Sequence, residues 1–180
     1  MIPRGFGKTC STLFARMQVA LGSPMDRRHP NVANLSEVAP EPGPSAGAFQ
    51  AMLRGMGRHT GATKLGCTFT EVEPGHVAWP MHWHANNEEA LIVVAGTGTL
   101  RIGAETVQVH AGDYVALPCG VGHQLQNTGA EVLRYWCVST RLDPEIVGYP
   151  DSNKVAARTA DGPGGAFLQL FPTATSLGYF

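Results

Sequence analysis

His82-Trp83-His84-Ala85-Asn86-Asn87-Glu88-Glu89-Ala90-Leu91-Ile92-Val93-Val94-Ala95-Gly96, followed by Gly112-Asp113-Tyr114-Val115-Ala116-Leu117-Pro118-Cys119-Gly120-Val121-Gly122-His123-Gln124-Leu125-Gln126-Asn127, decides the fold. Successive side chains of a strand point to opposite faces, so residues i and i+2 share a face. His82 and His84 therefore project together and Trp83 projects away. Glu89, Leu91, Val93 and Ala95 form one face of the next strand. His123, Leu125 and Asn127 form one face of a later one. If those faces meet, three imidazoles and a carboxylate converge between walls of Leu91, Val93 and Leu125.

A single histidine in a strand is ordinarily a packed or surface residue, and an isolated H-x-H says little. The set says more. Three neutral nitrogens and one carboxylate oxygen suit a borderline divalent ion such as Fe, Mn, Zn, Ni or Cu. Four protein ligands leave coordination positions open for water or a small molecule. The expected metal ligands are His82, His84, Glu89 and His123. Glu88 competes with Glu89, but strand alternation turns the two to opposite faces, and Glu89 is chosen.

Outward from this stretch, short strand-like runs alternate with turn residues. Strands are expected at Leu65–Glu73, His82–His84, Glu89–Ala95, Thr99–Ile102, Glu105–His110, Tyr114–Leu117, His123–Asn127 and Val132–Ser139, with Gly or Pro between them. That rhythm predicts an all-β, antiparallel sandwich or barrel. In the tail, Asp143-Pro144-Glu145-Ile146-Val147 reads as a helical turn with proline at its first position. Residues 161–165 read as a loop, and Ala166–Phe171 as an edge strand. Upstream, residues 39–48 are a Pro/Gly linker, and Phe49–Gly61 is either a short helix around Gln50–Arg54 or a loop.

Residues 1–25 carry Arg4, Lys8 and Arg16 but no acidic residue, as transit peptides do. Met25 also begins a stretch that reads like a natural start, and residues 1–24 are expected to add nothing to the site. The resulting division is an extension over 1–28, an arm over 29–62, a barrel over 63–140 and a tail over 141–180 that packs on it.

Composition narrows the function classes. Charged residues make up 15% of the chain, against about 25% in ordinary domains. A formal charge of −1 supplies no basic field for nucleic acid. No apolar run approaches the ~18 residues of a membrane span. Cys10, Cys67, Cys119 and Cys137 are widely spaced, which is neither a disulfide framework nor a zinc ribbon and fits a reducing, cytoplasmic setting. Cys67 and Cys137 are expected to be buried, inert thiols.

The chain resembles the cupin superfamily. That family's first motif reads G-x5-H-x-H-x3-4-E-x6-G and its second G-x5-P-x-G-x2-H-x3-N. Gly112, Pro118, Gly120, His123 and Asn127 match the second throughout. His82, His84, Glu89 and Gly96 match the first, and only Glu89 keeps the six-residue run to Gly96. The departure is Gly75, which stands one residue too far before His82 and should alter the preceding turn rather than the ligands. The resemblance implies a cupin double-stranded β-helix (a jelly-roll barrel) with N- and C-terminal extensions, and the same ligand set. Across residues 29–154 the chain also resembles bacterial single-domain cupins whose motif region is similar to that of the type II phosphomannose isomerases.

Two function classes follow: a metal-dependent isomerase or dioxygenase acting on a small polar, sugar-phosphate- or carboxylate-like molecule, or a non-catalytic module that binds such a molecule. Gln108, Gln124 and Tyr135 are candidate acid–base groups by type, and Arg101, Arg134 and Arg141 are candidate phosphate-binding cations. Asn127 reads as structural or as a support to the ligands, and His29, His59, His76 and His110 as surface or loop residues. The strand Glu89–Ala95 is apolar on both faces, so Ile92 and Val94 need a cover: the N-terminal segment, the tail or, as we expect, a second subunit in a homodimer.

Glu89→Gln should remove most bound metal, whereas Glu88→Gln should leave metal content within experimental error of the unmodified protein; metal analysis of the two variants checks the choice, and the reverse pattern contradicts it.

Overall fold

A computed structural model describes residues 29–162 and 165–173. The expected extension over 1–28 lies outside the described residues. The first described strands are β1 (Glu41–Pro42) and β2 (Met52–Gly55), then a single helical turn α1 (Met56–His59) and the long strand β3 (Leu65–Val72). The motif region contributes β4 (Trp83–His84), β5 (Glu89–Ala95), β6 (Thr97–Ile102), β7 (Glu105–His110), β8 (Tyr114–Leu117), β9 (His123–Gln126) and β10 (Leu133–Thr140). The tail adds β11 (Glu145–Tyr149), β12 (Lys154–Gly162) and β13 (Gly165–Pro172). The architecture is all-β and antiparallel, a cupin-type barrel.

One wall is a six-stranded sheet in the order β1-β2-β3-β10-β5-β8. The other consists of β7-β6-β9 and β4-β11-β12-β13. An isolated bridge between His82 and His123 joins these two smaller sheets. The core lies between the walls, with Val72, Leu91, Val93, Leu133 and Tyr135 from the first meeting Leu100, Val109 and Leu125 from the second. The alternation read from the sequence in β5 is visible here: Leu91 and Val93 are buried, while Ile92 and Val94 remain 37% and 44% exposed. No described segment of the chain closes over those two residues.

Asn127 ties the ends of the two motifs together. Its Nδ2 donates to the carbonyls of Val72 (2.7 Å) and Glu131 (2.9 Å), and its Oδ1 accepts from Gly129 N–H. Its own carbonyl accepts from Gly75 N–H at 2.9 Å. Gly75 has φ +83°, so the extra residue of the first motif is absorbed in a left-handed turn. At Gly148 a Cβ would stand 2.1 Å from the Trp83 ring; this glycine is where the outward-facing Trp83 lies flat on β11.

Elsewhere the structure corrects the sequence reading. The linker-like 39–48 stretch contains β1, and Phe49–Gly61 is neither the expected helix nor a loop. β2 pairs with β3, with Met52 opposite Glu71 and Gly55 opposite Thr68, and α1 follows it. Thr97 and Gly98 belong to β6, not to a turn. The expected helical turn at Asp143–Val147 is strand β11, paired with β4 and β12. The tail therefore builds half of one wall, and β12 had no counterpart among the expected strands. Asp161 and Gly162 end that strand. The Ala166–Phe171 strand is present as β13, at the sheet edge.

Candidate metal centre

The barrel brings His82, His84, Glu89 and His123 to one point. Their ligating atoms all lie within 4.8 Å of one another. Strand geometry produces this convergence. His82 and His123 face each other across two backbone hydrogen bonds, 3.1 and 2.8 Å. β4 carries His84 on the same face as His82, and β5 brings Glu89 from the opposite wall. Glu89 Oε2 lies 3.2 Å from His123 Nε2 and 3.6 Å from His84 Nε2. The other carboxylate oxygen accepts from Cys137 Sγ at 3.7 Å. Glu88 is exposed, pointing away, and its N–H donates to Thr140 Oγ1.

His82 and His123 are turned by what their far nitrogens meet. His82 Nδ1 is held by the Pro80 carbonyl at 2.8 Å, and His123 Nδ1 by the Val121 carbonyl at 3.0 Å. His84 Nδ1 faces the Glu145 carboxylate at 4.0 Å. In all three the Nε2 is left for the centre, the arrangement found around metal-ligating imidazoles. His84 Nε2 is buried and has no hydrogen-bond partner in the protein. A divalent ion at the centre would satisfy it, so the donor set fits the ion that the sequence implies.

Electrostatics favour the same protonation states. Burial, together with the His123 charge, pushes His82 down to about 4. Burial likewise lowers His84, against the pull of Glu89 and Glu145. Burial pushes the Glu89 carboxyl upward, but the His123 hydrogen bond and the neighbouring imidazoles bring it below its ordinary value. Neutral His82 and His84 beside an ionised Glu89 are the forms that bind a metal.

The centre opens into a cavity of about 270 Å³ lined by Leu53, Thr68, Leu91, Leu125, Tyr135 and Tyr149 among others. Tyr149 stacks on His82 with ring centroids 6.2 Å apart. Of the acid–base candidates, Gln124 and Tyr135 line this cavity, whereas Gln108 is exposed and donates to Thr99 Oγ1. Arg101, Arg134 and Arg141 are not among its lining residues. His29, His59 and His110 are exposed and His76 half-buried, all outside the cavity. Cys67, Cys119 and Cys137 are free thiols. Burial raises the pKa of Cys67 and Cys137, but Cys137 lines the cavity beside Glu89.

Sequence reasoning missed Glu145. It is 1% exposed, and its Oε1 accepts from the N–H groups of Ala85, Asn86 and Ile146 at 3.0–3.2 Å. It thus fixes the chain just after His84 and sets a negative charge behind that ring. The available signal was alternation: Glu145 and Val147 are buried while Ile146 is exposed. A charge on the buried face of a strand demands partners.

Residues 68–139 match the family model described as cupin domain, and the fold matches that of cupin barrels. The fold is similar to that of a candidate sugar phosphate isomerase from Acidithiobacillus ferrooxidans, at 27% identity and TM-score 0.66, covering 72% of this chain and 81% of that one. It is also similar to a cupin-superfamily sugar phosphate isomerase from Silicibacter pomeroyi, at 20% identity and TM-score 0.69, over 79% and 93% of the two chains. A candidate oxalate decarboxylase from Thermotoga maritima shares the fold at 20% identity and TM-score 0.54, over 62% of this chain and 99% of that one. No curated protein sequence matches the chain. No helix among the described residues is long and apolar enough to cross a membrane.

Glu145→Gln keeps the acceptor for the three N–H groups and removes the charge behind His84. Metal affinity should fall roughly tenfold or more with the four ligands intact, as a competition titration against a chelator would measure; an unchanged affinity would show that Glu145 serves the loop alone.

Proposed function

We propose that this protein is a metal-dependent cupin that holds one divalent ion (Fe, Mn, Zn, Ni or Cu) through His82, His84, Glu89 and His123 and binds a small polar ligand beside it. The observation that carries this reading is the convergence of four ligating atoms within 4.8 Å around the buried His84 Nε2, which has no hydrogen-bond partner in the protein and faces Glu89 Oε2 at 3.6 Å. The bound ion would act as a Lewis acid, polarising a carbonyl or hydroxyl of the ligand. The chain's own residues orient the ring nitrogens, keep His82 and His84 neutral and exclude bulk water behind Leu91 and Leu125.

Isomerisation of a sugar phosphate is the first reaction to test, because the Acidithiobacillus protein at 27% identity carries that description. Dioxygenase chemistry would use the same centre. Isomerisation requires a group that moves a proton, and the cavity limits the choice. Tyr135, Cys137 and Tyr149 are all raised above their ordinary values, with burial the main cause, and remain protonated at neutral pH. Glu89 is the one carboxylate among the described lining residues. A proton would then have to pass through Glu89 itself. This scarcity of bases supports the second reading, a non-catalytic module that binds the same kind of ligand.

Elemental analysis with a turnover screen separates the readings. The protein should carry about one divalent ion per chain, and His82→Ala, His84→Ala and His123→Ala should each lose most of it while the circular dichroism of the β fold is retained. Turnover of sugar phosphates, diketones or thiols supports the enzyme; a retained ion with no turnover of any of them supports the binder; unchanged metal in the three variants refutes the ligand set.

The exposed Ile92, Val94 and Tyr114 (66% exposed) on neighbouring strands support a second proposal, a homodimer packed sheet on sheet over this face. Sedimentation at micromolar concentration should give twice the chain mass, and Ile92→Lys should give one; a monomer in the unmodified protein contradicts it.

A further inference from the structure

The metal cavity does not end at its lining of Leu53, Thr68 and Ser139. The same three residues also border an adjoining cleft, whose other walls include Arg58, Arg141 and Arg158. Strand alternation explains why two of these arginines meet. Tyr135, Cys137 and Ser139 of β10 all face the cavity, and Arg141 is the next residue of that series. Its N–H continues the pairing with a bond to the Lys64 carbonyl at 2.9 Å. Arg158 comes from the opposite wall, where it is the register partner of Glu145, and directly opposed strand residues share a face. Arg141 and Arg158 also border together a second cleft beside Thr63 and Leu142.

Each of the other described arginines has a carboxylate partner. Arg54 and Arg134 both pair with Glu71, Arg58 pairs with Glu41 at 2.5 Å, and Arg101 forks onto Asp151 at 2.7 and 3.1 Å. Arg141 and Arg158 have no carboxylate within ion-pair distance among the described residues. The acids that line these clefts are engaged elsewhere, Glu41 with Arg58 and Asp143 with the Thr159 hydroxyl and Ala160 N–H, and the carboxylate of Glu145 holds three backbone N–H groups. Two unmatched guanidinium groups thus stand at one mouth of the metal cavity, where planar forks can grip the oxygens of a phosphate.

We propose that Arg141 and Arg158 form an anion subsite that takes the phosphate group of a small substrate whose polar end reaches the metal centre. The second half of this statement rests on the reading under Proposed function; the first half does not. The subsite would select phosphorylated over neutral ligands of the same size. It would also place the phosphate away from the metal, leaving the open coordination positions to the sugar-like end.

Inorganic phosphate is the probe, titrated by calorimetry at fixed ionic strength into the full chain, both as purified and after chelator treatment. Phosphate should bind in both states. Arg141→Gln and Arg158→Gln, both at exposed positions, should each weaken it roughly tenfold or more. Arg101→Gln, whose charge is matched by Asp151, should leave it unchanged, and acetate should bind far more weakly. The proposal is overturned if either cleft variant binds phosphate as the unmodified protein does. It is overturned equally if Arg101→Gln loses as much, or if acetate binds as well. His123→Ala keeps the two readings distinct: it should lose metal yet retain phosphate, so a failure of the metal assignment leaves the phosphate result standing, and the converse.

Discussion

Two backbone hydrogen bonds between His82 and His123 hold the rest of the architecture in place. They are the bridge that joins the two smaller sheets into one wall. They also bring two ligand imidazoles to face each other before any metal is considered, with ring centroids 4.3 Å apart. One strand pairing thus serves closure of the barrel and assembly of the centre together. The third and fourth ligands arrive by the same logic, His84 by alternation along β4 and Glu89 by the packing of β5 against this wall. Because the scaffold sets the geometry, the ion needs to contribute little ordering of its own.

The centre was legible in the sequence to the extent that it follows a period of two. Choosing Glu89 over Glu88 needed only alternation, and the structure puts Glu88 on the surface and Glu89 among the histidines. The Gly75 irregularity was likewise legible as a local matter, since a left-handed glycine can take up one extra residue without moving the strand beyond it. β5, β7 and β8 have the bounds that their Gly and Pro punctuation suggested.

The tail was not legible, for physical reasons. Asp143-Pro144 preceding an apolar pair carries local signals of a helix start, and tertiary pairing with β4 overrode them. Glu145 on a buried face looks wrong until the N–H groups of Ala85 and Asn86 are brought to it, and those contacts cross 60 and 59 residues of chain. Arg158 could not be linked with Arg141 for the same reason. Arg141 follows β10 and Arg158 lies in β12, and composition does not reveal that the two border one cleft. Residues near one another in sequence described the candidate metal centre; residues far from it in sequence complete its surroundings.

The central claim is that three imidazoles, two of them turned by a carbonyl at Nδ1 and the third backed by the Glu145 carboxylate, present Nε2 to a single ion beside Glu89. Anomalous diffraction from crystals of the metal-loaded protein, recorded at the absorption edge of the bound ion, tests it most directly. The account predicts one peak within bonding distance of the Nε2 atoms of His82, His84 and His123 and of a Glu89 carboxylate oxygen. A peak at Nδ1, at Cys137 with Glu89 unbound, or elsewhere on the chain would contradict it.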